Sequence, residues 1–141
     1  MAIRELDKPG LEPCAHVTCQ GCSIYPDRPK SCREFLCAWR AGIGTDDQRP
    51  DRLGIVLSMT EPGHPVYPAL LINEVWPDAL RDNAAAVVPY IQDLASRMVL
   101  VLVRDGLPKS FAGPEDRIRA LRPVIEESRR VNEAARKASA Y

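Results

Sequence analysis

Outside positions 14 to 37 the chain has no cysteine, which confines whatever its thiols do to one short segment. It has no excess of either charge, since 19 Lys and Arg stand against 19 Asp and Glu. A balanced chain offers no general field to draw in nucleic acid or an anionic membrane. It also lacks a long apolar run. The longest, Met98 to Val103, falls far short of the roughly 20 residues that a membrane-spanning helix requires. The opening residues, Met-Ala-Ile-Arg-Glu-Leu-Asp-Lys-Pro-Gly, contain no apolar stretch of the secretory type, so a soluble, cytoplasmic protein is expected. No internal repeat, catalytic triad, phosphate-binding glycine loop or pair of carboxylates at a catalytic spacing is evident, and nothing argues for an enzyme.

What is present fits one compact domain: 141 residues with 45% hydrophobic content suffice for a continuous core. Within it, residues 1–50 differ in texture from residues 51–141. Pro9, Gly10, Pro13, Gly21, Pro26 and Pro29 leave little room for regular structure before residue 30. So few apolar side chains cannot order such a segment by burial, and something else must hold it. Cys32, Phe35, Leu36 and Trp39 follow one another at helical spacing, which suggests a helical turn within Lys30 to Trp39. Gly42, Gly44 and Pro50, with Asp46 and Asp47, read as a linker out of this module.

The second part predicts a small α+β fold. Leu53 to Met59 and Ala69 to Trp76 read as strands, antiparallel to each other across a Pro/Gly/His-containing connection. Asn83 is placed to cap a helix reaching about Arg97, with Val87, Ile91, Leu94 and Met98 on one face and Pro89 kinking it or shifting its start. Met98 to Val103 is apolar at every position, as expected of a central strand covered on both faces. Asp105-Gly106 marks a turn into a fourth strand, Leu107 to Phe111. A final helix opens at Gly113-Pro114-Glu115-Asp116, where proline and the two acids suit a helix amino terminus, and Pro123 should bend it. Its many basic residues face five acids in the same segment, which suits a solvated face.

The five cysteines are spaced Cys14-x4-Cys19-x2-Cys22-x9-Cys32-x4-Cys37, with His16 between the first two. Closely spaced thiols in odd number suit metal ligation better than a disulfide framework. A Cys-x2-Cys pair brings two thiolates to one ion from a tight turn, and a second pair closes a tetrahedral zinc site. Cys19, Cys22, Cys32 and Cys37 form the simplest ligand set, with Cys14 and His16 as outer-shell or alternative ligands. A set of three cysteines and His16 stays open. Arg28, Lys30, Arg33 and Arg40 outnumber Asp27 and Glu34 around the cluster, which suits a centre of negative charge and would favour the thiolates. Cys14-x4-Cys19-x2-Cys22 also matches the opening of a plant-type iron–sulfur spacing, so iron or an iron–sulfur cluster is the alternative cofactor. Redox-active thiols without metal are a third reading.

Residues 19 to 40 carry the pattern Gly-Cys-x-Ile-Tyr-x-x-Arg-Pro-x-x-Cys-Arg-x-Phe-x-Cys-x-Trp. This resembles the bacterial cysteine-cluster proteins described as zinc- or iron-chelating, the YkgJ-like family. The resemblance reaches upstream to Cys14 and His16, and more loosely downstream to Arg49-Pro50-Asp51-Arg52. It implies Cys22, Cys32 and Cys37 as ligands, with Cys19 or Cys14 completing the set. Many members carry an adjacent Cys-Cys pair and further upstream cysteines, and this chain has neither. Pro26 and Pro29 would stiffen the link between ligand arms, and Tyr25, Phe35 and Trp39 would shield the sulfurs.

The expected protein is therefore α+β: a loop-rich metal-binding module followed by a mainly antiparallel sheet of three or four strands with two helices. Its expected function is non-catalytic, a structural zinc site that orders the module and offers a surface to a protein partner. An electron-transfer or redox-sensing protein is the competing class.

Overall fold

The computed structural model describes residues 3–9, 12, 14–18, 20–104 and 106–138. At its centre lies a four-stranded sheet, β3 (Ile55–Met59), β4 (Ala69–Glu74), β5 (Val99–Arg104) and β6 (Leu107–Ala112), in that spatial order. β3 and β4 are antiparallel, as are β5 and β6. The two inner strands, β4 and β5, run parallel, so the sheet is mixed. A parallel neighbour needs a crossover, and α3 (Ala79–Asp82) and α4 (Ala84–Ala95) provide it. The fold is α+β, with its strands close to the segments that the apolar patterns mark.

Both faces of the sheet are covered. On one, Leu57, Leu70, Ile72 and Leu100 meet Val87, Tyr90 and Leu94 of α4. On the other, Ala69, Val99 and Val101 meet Ile118 of α5 (Glu115–Ala120) and Val124 of α6 (Arg122–Ala138). This double cover explains the unbroken apolar run of β5, because side chains pointing either way leave water. Each such leucine, fully buried, contributes about 1.5–3 kcal/mol.

Two prolines behave differently. Pro123 sits in the first turn of α6, after a break at Leu121 that divides the last helical stretch in two. Pro89 lies inside α4 without splitting it; the packing of Val87, Tyr90 and Leu94 holds the helix through the missing amide bond. Asn83 stands at the start of α4 but does not cap it with its side chain. Its amide instead donates to the Leu53 carbonyl at 3.1 Å, tying the crossover to the segment before β3.

Leu53 and Gly54, expected in the first strand, belong to the end of α2 (Pro50–Leu53), which starts on Pro50 and stops at Gly54 with φ +72°. A side chain at Gly54 would be strained in that conformation. Its Cβ would also lie 2.6 Å from the Trp76 ring. The helix count differs from two as well, because α1 (Lys30–Glu34), α2, α3 and α5 add short segments to the two long helices among the described residues.

The stretch expected as a linker is folded onto the sheet. Thr45 and Gln48 form a reciprocal capping box around the 3-10 turn Asp46–Gln48. The Tyr90 hydroxyl donates to the Ile43 carbonyl at 3.1 Å, and Trp39 Nε1 donates to the Thr45 carbonyl at 2.9 Å. The Ala38 amide donates to the Leu57 carbonyl at 2.7 Å, so this segment also covers the edge of β3. Among the described residues, no helix is long and apolar enough to cross a membrane.

Candidate metal centre

Three thiols are carried by short local elements. The Cys14 carbonyl accepts the Val17 amide at 3.0 Å, which closes a turn. Val17 then pairs with Cys22 across a hairpin of β1 (Val17–Thr18) and β2 (Gly21–Cys22). That register sets Cys14 and Cys22 at the base of one hairpin. Beyond it, the Tyr25 amide donates to the Cys22 carbonyl at 3.2 Å, and the Asp27 amide to Ile24 at 3.0 Å. These turns lead through Pro29 into α1, on which Cys32 sits. Arg28 lies 3.6 Å from the centre of the Tyr25 ring and donates to the Tyr25 carbonyl at 2.9 Å, bracing the link between the two arms.

Cys14, Cys22 and Cys32 are half-buried. Burial pushes the Cys32 thiol above its ordinary pKa, and the neighbouring charges of Cys14, Cys22 and Glu5 push it the same way, against the pull of Arg28. The expected lowering of the thiol pKa values by surrounding cations is therefore reversed at Cys32. A thiol whose ionisation is opposed by burial and by neighbouring negative charge is a setting that a bound cation would relieve.

Glu5, which sequence reasoning passed over, clasps α1. Its carboxylate accepts the Ser31 amide at 3.1 Å and the Ser31 hydroxyl at 2.8 Å. Hydrogen bonds from its own backbone and from Ser31 hold Glu5 below the usual carboxylate range. The 3-10 turn Arg4–Leu6 is thereby fastened next to Cys32.

Cys37 differs from these three in burial. It is buried, and the next residue, Ala38, belongs to the core. A charge on Cys37 bears on Tyr90, whose hydroxyl is raised chiefly by burial and then by that thiol. His16 is half-buried, and its carbonyl accepts the Ser23 amide at 2.8 Å. Cys19 lies outside the described residues. Among the described residues, no three His, Cys, Asp or Glu side chains form a group that could by itself hold a metal ion.

The aromatic residues expected to shield the sulfurs have other places. Tyr25 is 59% exposed under Arg28. Trp39 is bonded to Thr45 and has Arg49 5.6 Å from its ring centre. Phe35 faces the sheet near Val56.

A second polar feature has no counterpart in the motif analysis. Glu74 and Arg104 form an ion pair, Nε to Oε2 at 2.7 Å and Nη2 to Oε1 at 3.2 Å, and Oε1 also accepts the Leu80 amide at 3.0 Å. The Glu74 side chain is only 8% exposed, against 43% for Arg104. Their signal lies in the strand alignment: Glu74 follows Leu70 and Ile72 on one face of β4, and Arg104 follows Leu100 and Leu102 on the same face of β5. Comparison of the chain with family models, with curated proteins and with solved structures finds no match.

Proposed function

We propose that residues 14 to 40 form a cysteine-ligated structural zinc site in a protein without a catalytic role of its own. The observation that carries this reading is that Cys14, Cys22 and Cys32 stand on a turn, a hairpin and a helix that follow one another closely, with Cys14 and Cys22 near enough for their charges to act on Cys32. Three soft donors with Cys19 as the fourth suit zinc in its closed, tetrahedral form. Cys37, buried beside Tyr90, then serves the core and not the ion. That departs from the simplest set read from spacing, in which Cys37 completed the site.

The donors suit the group in kind, since thiolates prefer zinc and other soft or borderline ions. When bound, zinc supplies cross-links between the hairpin and α1, in a segment too poor in apolar residues to order itself. The chain's own residues do the rest. Arg28 and the turns between Cys22 and Pro29 set the distance between the ligand arms, and Glu5 holds the start of α1. The likeness of residues 19 to 40 to the YkgJ-like chelating proteins supports the same reading. The partial plant-type spacing keeps an iron–sulfur centre as the second one.

Metal analysis of anaerobically purified protein tests both. About one zinc per chain in colourless protein is expected, and it should be lost in Cys22→Ser and Cys32→Ser but kept in Cys37→Ser. Stoichiometric iron with visible absorption would replace zinc by iron–sulfur. Metal-free protein would end both readings.

A further inference from the structure

We infer that the cavity between Phe35 and the exposed end of β3 and β4 is a binding site for a small organic cation with planar nitrogen donors, an amidine or guanidine. The cavity measures about 300 Å³, at the small end of the range for ligand sites. Val56, Val75 and Phe35 of the cysteine segment form its apolar part. The inference does not depend on what the thiols hold.

Two polar side chains point to the ligand's chemistry. Asn73 lies opposite Val56 in the β3–β4 register, and Ser58 lies one step diagonally from it on the same face. Both line the cavity, and neither makes a side-chain hydrogen bond among the described residues. Elsewhere this face of the sheet presents Ala69, Val99 and Val101 to the helices. A hydroxyl and a carboxamide, set side by side where the apolar cover stops, give polar groups that a multidentate ligand can use together, their oxygens accepting from its N–H groups.

The sign of the charge follows from the remaining walls. Glu12 lines the cavity with a carboxylate that has no ion pair among the described residues. Glu74 also borders it, between Asn73 and Val75, but its side chain lies on the opposite face of β4, where Arg104 and the Leu80 amide engage both oxygens. No Lys, Arg or charged amine among the described residues lines the cavity. The Ser58 hydroxyl and Asn73 carboxamide can donate or accept, so the sign is set by Glu12: its carboxylate repels an anion and gives a planar cation a charged acceptor beside two neutral ones and the Phe35 side chain.

The test is an amide-shift titration of the full chain with benzamidine, benzamide and benzoate. Saturable shifts are expected for benzamidine at Val56, Ser58 and Asn73, with benzamide weaker and benzoate absent. Asn73→Leu should weaken benzamidine about tenfold, the loss of one to two hydrogen bonds. Ser58→Ala, which leaves the sheet's interior untouched, should weaken it less. The inference is overturned if benzamidine gives no saturable shift, if benzoate binds as well, if the shifts fall elsewhere, or if both variants bind like the parent.

Discussion

β3, β4 and β5 each carry side chains shut off from water, while from Cys14 to Leu36 no described residue is buried. Both stretches are nonetheless regular. The sheet is ordered because apolar faces on both sides have somewhere to go, whereas the cysteine segment is ordered by turns, a two-residue-per-strand hairpin, an arginine stacked on a tyrosine and a glutamate clasp. Exposed bonds of that kind contribute little each. A segment held this way is a poor structure by itself and a suitable one for a cross-link, which is the physical ground for placing a metal there.

If the sheet alone carries global stability, the largest effect belongs to its core. Leu70→Ala should lower the unfolding free energy by about 2–5 kcal/mol, measured by denaturant titration. A cost below 1 kcal/mol would remove the contrast between the two regions. The next effect belongs to Glu74, a charge that the sheet buries. Glu74→Gln removes the buried charge that Arg104 meets in the sheet and should cost about 1–3 kcal/mol, discounted because Arg104 is half-exposed. Combining it with Arg104→Met should cost less than the sum of the two single changes. Additive costs would mean that the pair does not act as a unit.

The smallest effect is local to the cysteine segment and depends on pH. The pKa of Glu5 is lowered on folding from its ordinary 4.5, so the clasp is fully present above that value and is lost as pH falls through the depressed folded pKa. Following the Ser31 amide shift on acidification should give a midpoint below 4.5, while the amides of β4 and β5 stay unchanged. A midpoint at or above the ordinary value, or sheet amides titrating in parallel, would contradict a separate local clasp.

Legibility from the sequence divides along the same line. Met98 to Val103 declared a strand covered on both faces, and the run from Ala69 declared its neighbour, because burial leaves a pattern that neighbouring residues share. Pro123 announced its break, since a missing amide is a local fact. Leu53 and Gly54 misled for the converse reason: they look like the start of an apolar strand, but Pro50 and the φ +72° of Gly54 make them the end of a helix. The stretch from Gly42 to Pro50 reads as a linker, yet Tyr90, more than forty positions away, holds Ile43 to the core. In the candidate centre, the window of cysteines was legible and the burial of Cys37, against the half-burial of Cys14, Cys22 and Cys32, was not. Spacing measures distance along the chain, and which side of that chain faces the core depends on what it meets.

The amino-acid order by itself determined where the apolar strands and long helices form, that the thiols sit in one short segment, and that the fold is α+β. Those properties arise between residues a few positions apart. The tertiary structure alone decided the parallel pairing of β4 with β5, the burial of Glu74 against Arg104, the burial of Cys37 and the cavity that Phe35 lines with β3 and β4. Each joins residues far apart in the chain, and only packing all the elements at once sets which distant groups share a space.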